Sequence, residues 1–371
     1  KGTIKKYTVK GDLYKIEPKC PKCTGKGVLY IPTHEVAGFK LVPTNALDCT
    51  VNGFKTDMGT AMKHITESNP KAKEFLEAYT RYSAIRTYLR TFIEGIERGL
   101  DPNNFIHPQF MQCVTATGRL SSRNPNFQNM PRGTTFPVRK AIVSRFHHGY
   151  ILEGDYRQLE FRVAGFLSKD KQLYRDVENN VDVHQYTADT MGVTRQEAKA
   201  HTFKPLYGGV LGTPKEMRYY EAFKHKYWQV TNWHDKLQKE AVDTKKIKLP
   251  SGREYAFPEA RYTQYGNVTN STAIKNYPVQ GFATADLLPL ALVNLYAIMK
   301  KRNMKSVICN TVHDSIILDV HPEERVQCID VLRMSMLSIK DECNSRYNVN
   351  YDMPVDIELK IGDNWLDTKE I

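Results

Sequence analysis

The stretch Thr194-Arg-Gln-Glu-Ala-Lys-Ala-His-Thr-Phe-Lys-Pro-Leu-Tyr-Gly-Gly209 decides how the rest of the chain is read. Thr194 and Glu197 have the spacing of a capping box. The cap hydroxyl takes the N–H three residues on, the Glu side chain returns to the cap N–H, and a helix starts at Arg195. Arg195, Lys199, Phe203 and Tyr207 then recur every fourth residue, stacked along one slowly turning face. A helix start carries partial positive charge and free N–H groups, and here two cations sit on its first two turns. That is a receptor for a polyphosphate, with rings further along to meet a base. An amphipathic helix with solvated cations accounts for Arg195 and Lys199, but not for the two aromatics that continue the row. Pro205 and Gly208-Gly209 predict a kinked helix ending near Tyr207.

On each side of this stretch a short apolar run leads to a carboxylate. Tyr150-Ile-Leu-Glu-Gly-Asp155 reads as a strand, followed by helical spacing through Leu159, Val163, Phe166 and Leu167. Ser306 to Val320 reads as a β-hairpin with His313-Asp314 near its tip. Taken singly, Asp155 is as good a helix cap as a catalytic group, and Asp314 is ordinary turn chemistry. Taken together they are two strand-end carboxylates, 159 residues apart, with a triphosphate receptor between them. Two carboxylates converging on a pair of Mg²⁺ ions roughly 3.5–4 Å apart form the machinery of in-line phosphoryl or nucleotidyl transfer.

The composition agrees with a polyanion partner. Of 371 residues, 53 are Lys or Arg and 41 Asp or Glu, a formal charge of +12 that attracts nucleic acid. The length favours two or three lobes, and 41% hydrophobic with 25% charged residues is the globular average, which excludes disordered and collagen-like classes. From Met111 to Leu152 there is no acidic residue, while Arg119, Arg123, Arg132, Arg139, Lys140 and Arg145 alternate with small polar residues, as expected of a segment lying along phosphates. The most apolar stretch, Gly281 to Met299, is interrupted by Asp286, Pro289 and Asn294, so no membrane span is expected. Seven scattered cysteines make no disulfide framework and point to a reducing, intracellular setting. Cys20-Pro-Lys-Cys23 is half of a tetrahedral zinc site, and an ordinary β-turn is the preferred reading. Ser68-Asn-Pro70 opens a long amphipathic helix, ~45 Å at 1.5 Å per residue, whose apolar stripe from Phe75 to Ile96 is read as core-packing and which Gly99 closes.

In this order the pieces resemble the polymerase domain of family A DNA polymerases. Asp155-Tyr-Arg-Gln-Leu-Glu160-Phe-Arg162 resembles motif A, Arg195 through Gly208 motif B, and Val312-His313-Asp314 motif C. Thr117-Gly-Arg119-Leu-Ser-Ser, Asn126-x-Gln128-Asn129-x-Pro131, Asp182-Val-His184, Asn276-x-Pro278-Val-Gln280-Gly281 and Ile361-Gly-Asp-Asn-Trp365-Leu are further matches, from about residue 53 to the end.

The resemblance implies an α+β, right-hand fold with an antiparallel palm sheet, helical fingers and a partial helical thumb. The expected division is an uncertain segment with the CxxC over 1–50, a thumb-like region over 51–110, palm over 111–165 and 276–371, and fingers over 166–275. It implies two Mg²⁺ ions, Mn²⁺ able to substitute, held by Asp155, Asp314 and the Tyr156 carbonyl. It implies dNTP contacts from His184, Arg195, Lys199, Phe203, Glu160 and Tyr156, with Lys199 also a proton donor and Glu160 closing the space beside the sugar 2′ position. DNA contacts are expected from Arg119, Asn126, Gln128, Asn129, Tyr207, Gly208, Asn276, Gln280 and His313. Expected partners are primer-template DNA and dNTPs, with a processivity factor, helicase or primase, in an intracellular, cytoplasmic setting, which for the expected phage source is the host-cell cytoplasm or nucleoid. Ser315 departs from the acid usual after the motif C Asp, and single-subunit RNA polymerases share that Ser. An RNA polymerase and a catalytically idle DNA-binding replication scaffold are therefore the rival readings. No Asp-x-Glu exonuclease start precedes these motifs, so no proofreading is expected of this sequence.

Overall fold

The structure, a computed structural model, describes residues 49–50, 53–54, 70–133, 135–209 and 212–371. Cys20 and Cys23, and nearly all of the segment 1–50, lie outside the described residues. The chain divides into two compact units, 1–95 and 96–371.

In the second unit the decisive element is a five-stranded antiparallel sheet. Its strands are β1 (Tyr150–Tyr156), β2 (Val307–Val312), β3 (Ser315–Val320), β4 (Ile357–Gly362) and β5 (Lys369–Glu370), in the spatial order β5-β4-β1-β3-β2. β1 pairs with β3 from Tyr150↔Val320 to Asp155↔Ser315, and with β4 from Tyr156↔Ile357 to Ile151↔Gly362. β2 and β3 form the expected hairpin, turning on His313 and Asp314, with a bulge at Cys309. His313 takes φ +56°, the left-handed conformation of a tight turn.

Side chains alternate across a strand, and the register sorts them by chemistry. Leu152, Ile316, Leu318 and Leu359 share one buried face. Helix α10 (Arg325–Leu337) closes over it; a Cβ on Gly154 would lie 2.5 Å from the Met336 sulfur, so the strand position is occupied only by Gly. Glu153, Asp155, Ser315, Glu358 and Lys360 share the opposite, polar face.

Between β1 and β2 the chain makes a helical layer. Its members are α2 (Leu159–Ser168), α3 (Lys171–Glu178), α4 (Val183–Met191), α5 (Arg195–Ala198), α6 (Pro214–Lys226), α7 (Trp228–Thr244) and α8 (Ser271–Gln280). Helix α9 (Leu288–Lys301) follows a π-helical segment, Gly281–Leu287. The run Ser271–Lys301 is long and apolar enough to cross a membrane by length and composition alone, but 56% of its apolar window is buried inside the fold. Here it serves as a core helix.

Three expectations are corrected. The capping box at Thr194 forms, but α5 ends at Ala198; the chain winds on through turns into a 3₁₀ segment, Pro205–Tyr207. Pro205 has no N–H, and i→i+3 bonds such as Lys204 N–H to His201 O largely replace the α ladder, although the Thr202 N–H and hydroxyl both donate to the Ala198 carbonyl at 3.0 Å. In the first unit α1 (Pro70–Tyr88) runs through a π segment, Leu89–Ile93, into a last turn that ends at Gly99. Its stripe is not core: Leu76 is buried, but Phe75, Tyr82, Ile85 and Leu89 are exposed among the described residues. Spacing alone fixes which residues share a face, and burial further requires an element facing them. The acid-free stretch is not all phosphate-facing either. Arg139 is 4% exposed, stacked 3.9 Å over Trp365 and donating to the Met130 carbonyl, and Arg145 is ion-paired with buried Asp319 at 2.6 Å. The carboxylates that hold such cations come from other elements.

Candidate active site

The sheet register brings the two carboxylates together. Asp155, next to last in β1, lies opposite Ser315, Asp314 is the next residue back around the turn, and the Tyr156 N–H donates to the Asp314 carbonyl at 3.3 Å. Burial raises the pKa of both carboxyls, and the Asp314 charge raises Asp155 further; the Arg132 charge pulls both down. Two hard oxygen donors whose buried carboxyls resist ionising are a site for a hard cation. Among the described residues no three His, Cys, Asp or Glu side chains are grouped to hold a metal. Two carboxylates suffice for Mg²⁺, which keeps water and substrate oxygens as its other ligands. Ser315 is fully buried and donates its hydroxyl to the Val312 carbonyl at 3.0 Å, a structural role in the turn.

Beside this pair stands a polar cluster from three distant segments. Arg119 donates through Nε to the Thr284 hydroxyl at 2.8 Å and pairs with Glu160 on α2. Thr284 in turn donates to the Gln280 carbonyl at 2.7 Å, which ties Arg119 to the end of α8. Burial and the Asp314 charge push Glu160 up to about 7, whereas the guanidinium in direct contact favours its charged form; the contact decides, and we take Glu160 as ionised. Burial lowers Arg119, with the Asp314 charge opposing. Gln128 donates to the Thr311 carbonyl at 3.2 Å, and Arg119, Gln128 and His313 line one small pocket. Burial depresses His313, reinforced by the Arg119, Arg132 and Arg139 charges. Asn126 is occupied locally, accepting the Gln128 N–H at 3.1 Å, and Asn129 is exposed.

The helical layer supplies a second cluster. Asp182 caps α4 by accepting the His184 and Gln185 N–H groups and pairs with Arg195 Nε at 2.8 Å, so Arg195 is held by a carboxylate here. That pair holds Asp182 below the usual carboxylate range. His184 Nδ1 lies 2.9 Å from the Thr202 hydroxyl and its ring 5.4 Å from Phe203; burial lowers it, as do Arg195 and Lys199. Lys199 is exposed just beyond α5. Phe203 also meets Phe161 of α2 at 6.0 Å, next to Glu160, and Arg195 shares a cavity with Arg157 and Gln158, just past Asp155. The two clusters are therefore neighbours. Tyr207 and Gly208 follow, half-buried; Gly208 has φ +78°, and a Cβ there would meet the Lys275 side chain at 2.4 Å. Lys275 precedes Asn276, one turn before Gln280 on α8.

Several groups escaped the sequence reading. Glu153 shares the face of Asp155, accepts the Trp365 indole N–H at 3.1 Å and raises the pKa of Asp155 and Asp314 alike. Its position two before Asp155 in a strand was the available signal. Arg132, Arg139, Glu153, Asp155 and Lys360 line a cavity of about 230 Å³ beside the carboxylate pair. Thr284 had no such signal, because it matters only through partners elsewhere, and Asp182, quoted within Asp182-Val-His184, had been given no role.

An antiparallel sheet with two carboxylates at adjoining strand ends, and a helical layer inserted between them, defines the class of right-hand polymerase folds. The family profile described as DNA polymerase family A matches residues 39–367. The chain belongs to DNA polymerase family A. It is 28% identical over 344 residues to DNA polymerase I of Caldicellulosiruptor bescii, covering 86% of this chain and 38% of that protein. It is 30% identical over 342 residues to the thermostable DNA polymerase I of Thermus aquaticus, covering 85% and 39%. The chain thus spans about two fifths of the length of these relatives. Its fold is similar to the POL domain of Pol1 from M. smegmatis, solved in complex with DNA primer-template and dNTP. The TM-score is 0.73 at 24% identity, over 86% of this chain and 57% of that one.

Proposed function

We propose that this chain carries out template-directed DNA synthesis, adding deoxynucleotides to a primer 3′ end, as the polymerase part of a phage-type family A enzyme acting inside the cell. The observation that carries the reading is the register of β1 on β3, which pairs Asp155 with Ser315 next to the turn residue Asp314, whose charge acts on the Asp155 carboxyl. Asp155, Asp314 and the Tyr156 carbonyl would hold Mg²⁺ or Mn²⁺. When bound, such ions supply Lewis-acid polarisation of the α-phosphate and lower the pKa of the attacking 3′-hydroxyl.

The protein's own groups do the rest. Arg195, Lys199 and His184 receive the β- and γ-phosphates, Arg195 exchanging Asp182 for phosphate, and Lys199 gives a proton toward the departing pyrophosphate oxygen. Glu160, fixed by Arg119, blocks the sugar 2′ position; Phe203 packs on the incoming base and sugar. Tyr207 stacks at the templating position and Gly208 admits the template. Arg119, Gln280, His313, Gln128 and Asn276, with Asn126 and Asn129, contact the primer-template, the first two at minor-groove acceptors common to all correct pairs. In this reading palm residues are 111–165 and 276–371, fingers 166–275 and thumb-like residues 51–110. A processivity factor, helicase or primase is the expected company.

The test is extension of a labelled primer on DNA with Mg²⁺, comparing dNTPs with rNTPs, for the parent, Asp155→Asn and Asp314→Asn. Extension with dNTPs alone, lost in both variants while primer-template binding persists, is expected. Extension with rNTPs would assign RNA synthesis, and binding without extension by the parent an idle scaffold.

A further inference from the structure

Gly208, read above as the residue that admits the template, does not face open space. The side chain of Lys275 on α8 lies across it: a Cβ on Gly208 would stand 2.4 Å from Lys275 Cδ, 3.4 Å from Cε and 3.2 Å from Nζ. A strand approaching this glycine therefore meets an ammonium group. That group is half-buried and has no ion-pair or hydrogen-bond partner among the described residues. Its surroundings offer none. Burial lowers its pKa, Asp235 on α7 opposes from beyond bonding distance, and the Lys224 charge adds to the lowering, Lys224 itself being paired with Glu221 at 2.7 Å. His234, 6% exposed, is pushed down to about 3 by burial and by the Lys275 charge, so its ring stays neutral. Arg119 and Arg195 are held by Glu160 and Asp182, whereas Lys275 is held by no carboxylate among the described residues. An ammonium drawn partly out of water without a counter-charge costs free energy, which an anion reaching it recovers.

Resting on the reading of Tyr207 and Gly208 as the template position, we infer that Lys275 is a template-binding residue, whose ammonium receives one backbone phosphate of the template strand beside the templating nucleotide, whatever the base. α8 then holds both strands. Gln280, five residues on and ~7.5 Å along the axis, meets the minor groove at the primer terminus, and Lys275 fixes the template where it leaves the duplex.

The experiment measures binding of a fluorescent primer-template with a template overhang to the whole chain, by anisotropy and without nucleotide, between about 50 and 200 mM salt. Lys275→Met keeps the stem over Gly208 and removes the charge. It should weaken binding about three- to tenfold at the low-salt end and reduce the slope of log K against log salt by about 0.7–0.9, the share of one phosphate. Blunt duplex, which lacks that phosphate, should bind both proteins alike. Single neutral methylphosphonates placed in turn around the templating nucleotide locate the contact: one of them should weaken the parent and Lys275→Arg and leave Lys275→Met unchanged. Lys275→Gln is the second neutral variant, should Lys275→Met not fold. An unchanged salt slope, or a methylphosphonate profile that is the same in the parent and the neutral variants, would overturn the assignment and leave the DNA-synthesis reading in place. A parent that does not bind primed template would overturn both.

Discussion

Gly281 opens the π-helical segment after α8 with ordinary helical angles, φ −66° and ψ −49°. Nothing in that backbone requires glycine, so by propensity alone Gly281→Ala should stabilise the protein by about 0.5–1 kcal/mol. Packing reverses the sign. A Cβ there would stand 1.7 Å from the Tyr255 hydroxyl and 3.1 Å from the Thr117 carbonyl, and that hydroxyl donates to the same carbonyl at 2.8 Å. Tyr255 is 7% exposed and Thr117 8%, so neither has water to fall back on. Overpacking costs ~1–3 kcal/mol and a broken buried hydrogen bond ~1–3 kcal/mol more, a net loss of about 1–5 kcal/mol after the propensity gain. Tyr255→Phe alone should cost about 1–2 kcal/mol. The double variant should be less damaged than the sum by about 2 kcal/mol, because the clashing oxygen is gone. Urea denaturation of the four proteins, with extension on primed template alongside, measures the cycle. Thr117 is two residues from Arg119, so extension should fall more for Gly281→Ala than for Tyr255→Phe. A neutral or stabilised Gly281→Ala, or simple additivity, would refute the close approach.

Two further outcomes are expected. The carboxyl of Asp155 is raised in the folded chain, so this group takes up a proton on folding, and its own contribution to stability is fully present below the ordinary carboxylate value near 4 and declines as pH rises toward neutrality. Metal-free Asp155→Asn should show a flatter melting profile across that window and a higher Tm at pH 8, while Mg²⁺ should raise the Tm of the parent more than that of the variant; a steeper profile in the variant would contradict the burial. Glu153→Gln keeps an acceptor for the Trp365 indole but removes a charge about 7 Å from Asp155 by strand rise. Mn²⁺ affinity, followed by paramagnetic resonance, should weaken at least about threefold even at a water-like dielectric, with Tm little changed; unchanged affinity would mean that Glu153 acts only on Trp365.

What could be read in advance was set by neighbours in the chain. The strand before Asp155, the hairpin at His313-Asp314, the cap at Thr194 and the helix ending at Gly99 rest on repeats of two or 3.6 residues and on local hydrogen bonds, and all four form. The antiparallel sheet and the family motifs were legible for the same reason, since each motif lies within a few consecutive residues. Adjacency of Asp155 and Asp314 was only implied by resemblance; no spacing in the chain states it.

Tertiary structure decided which charges are committed and which positions are closed. Arg119 finds Glu160 and Thr284, Arg145 finds Asp319, and Arg139 slides over Trp365, each across tens to hundreds of residues. An acid-free run reads as a phosphate track until those partners arrive. Gly281 excludes a methyl because of a tyrosine on another element. Periodicity determines which face a residue occupies. What stands opposite that face depends on chain closure over long separations, and there the ion pairs and the packing limits of this protein are set.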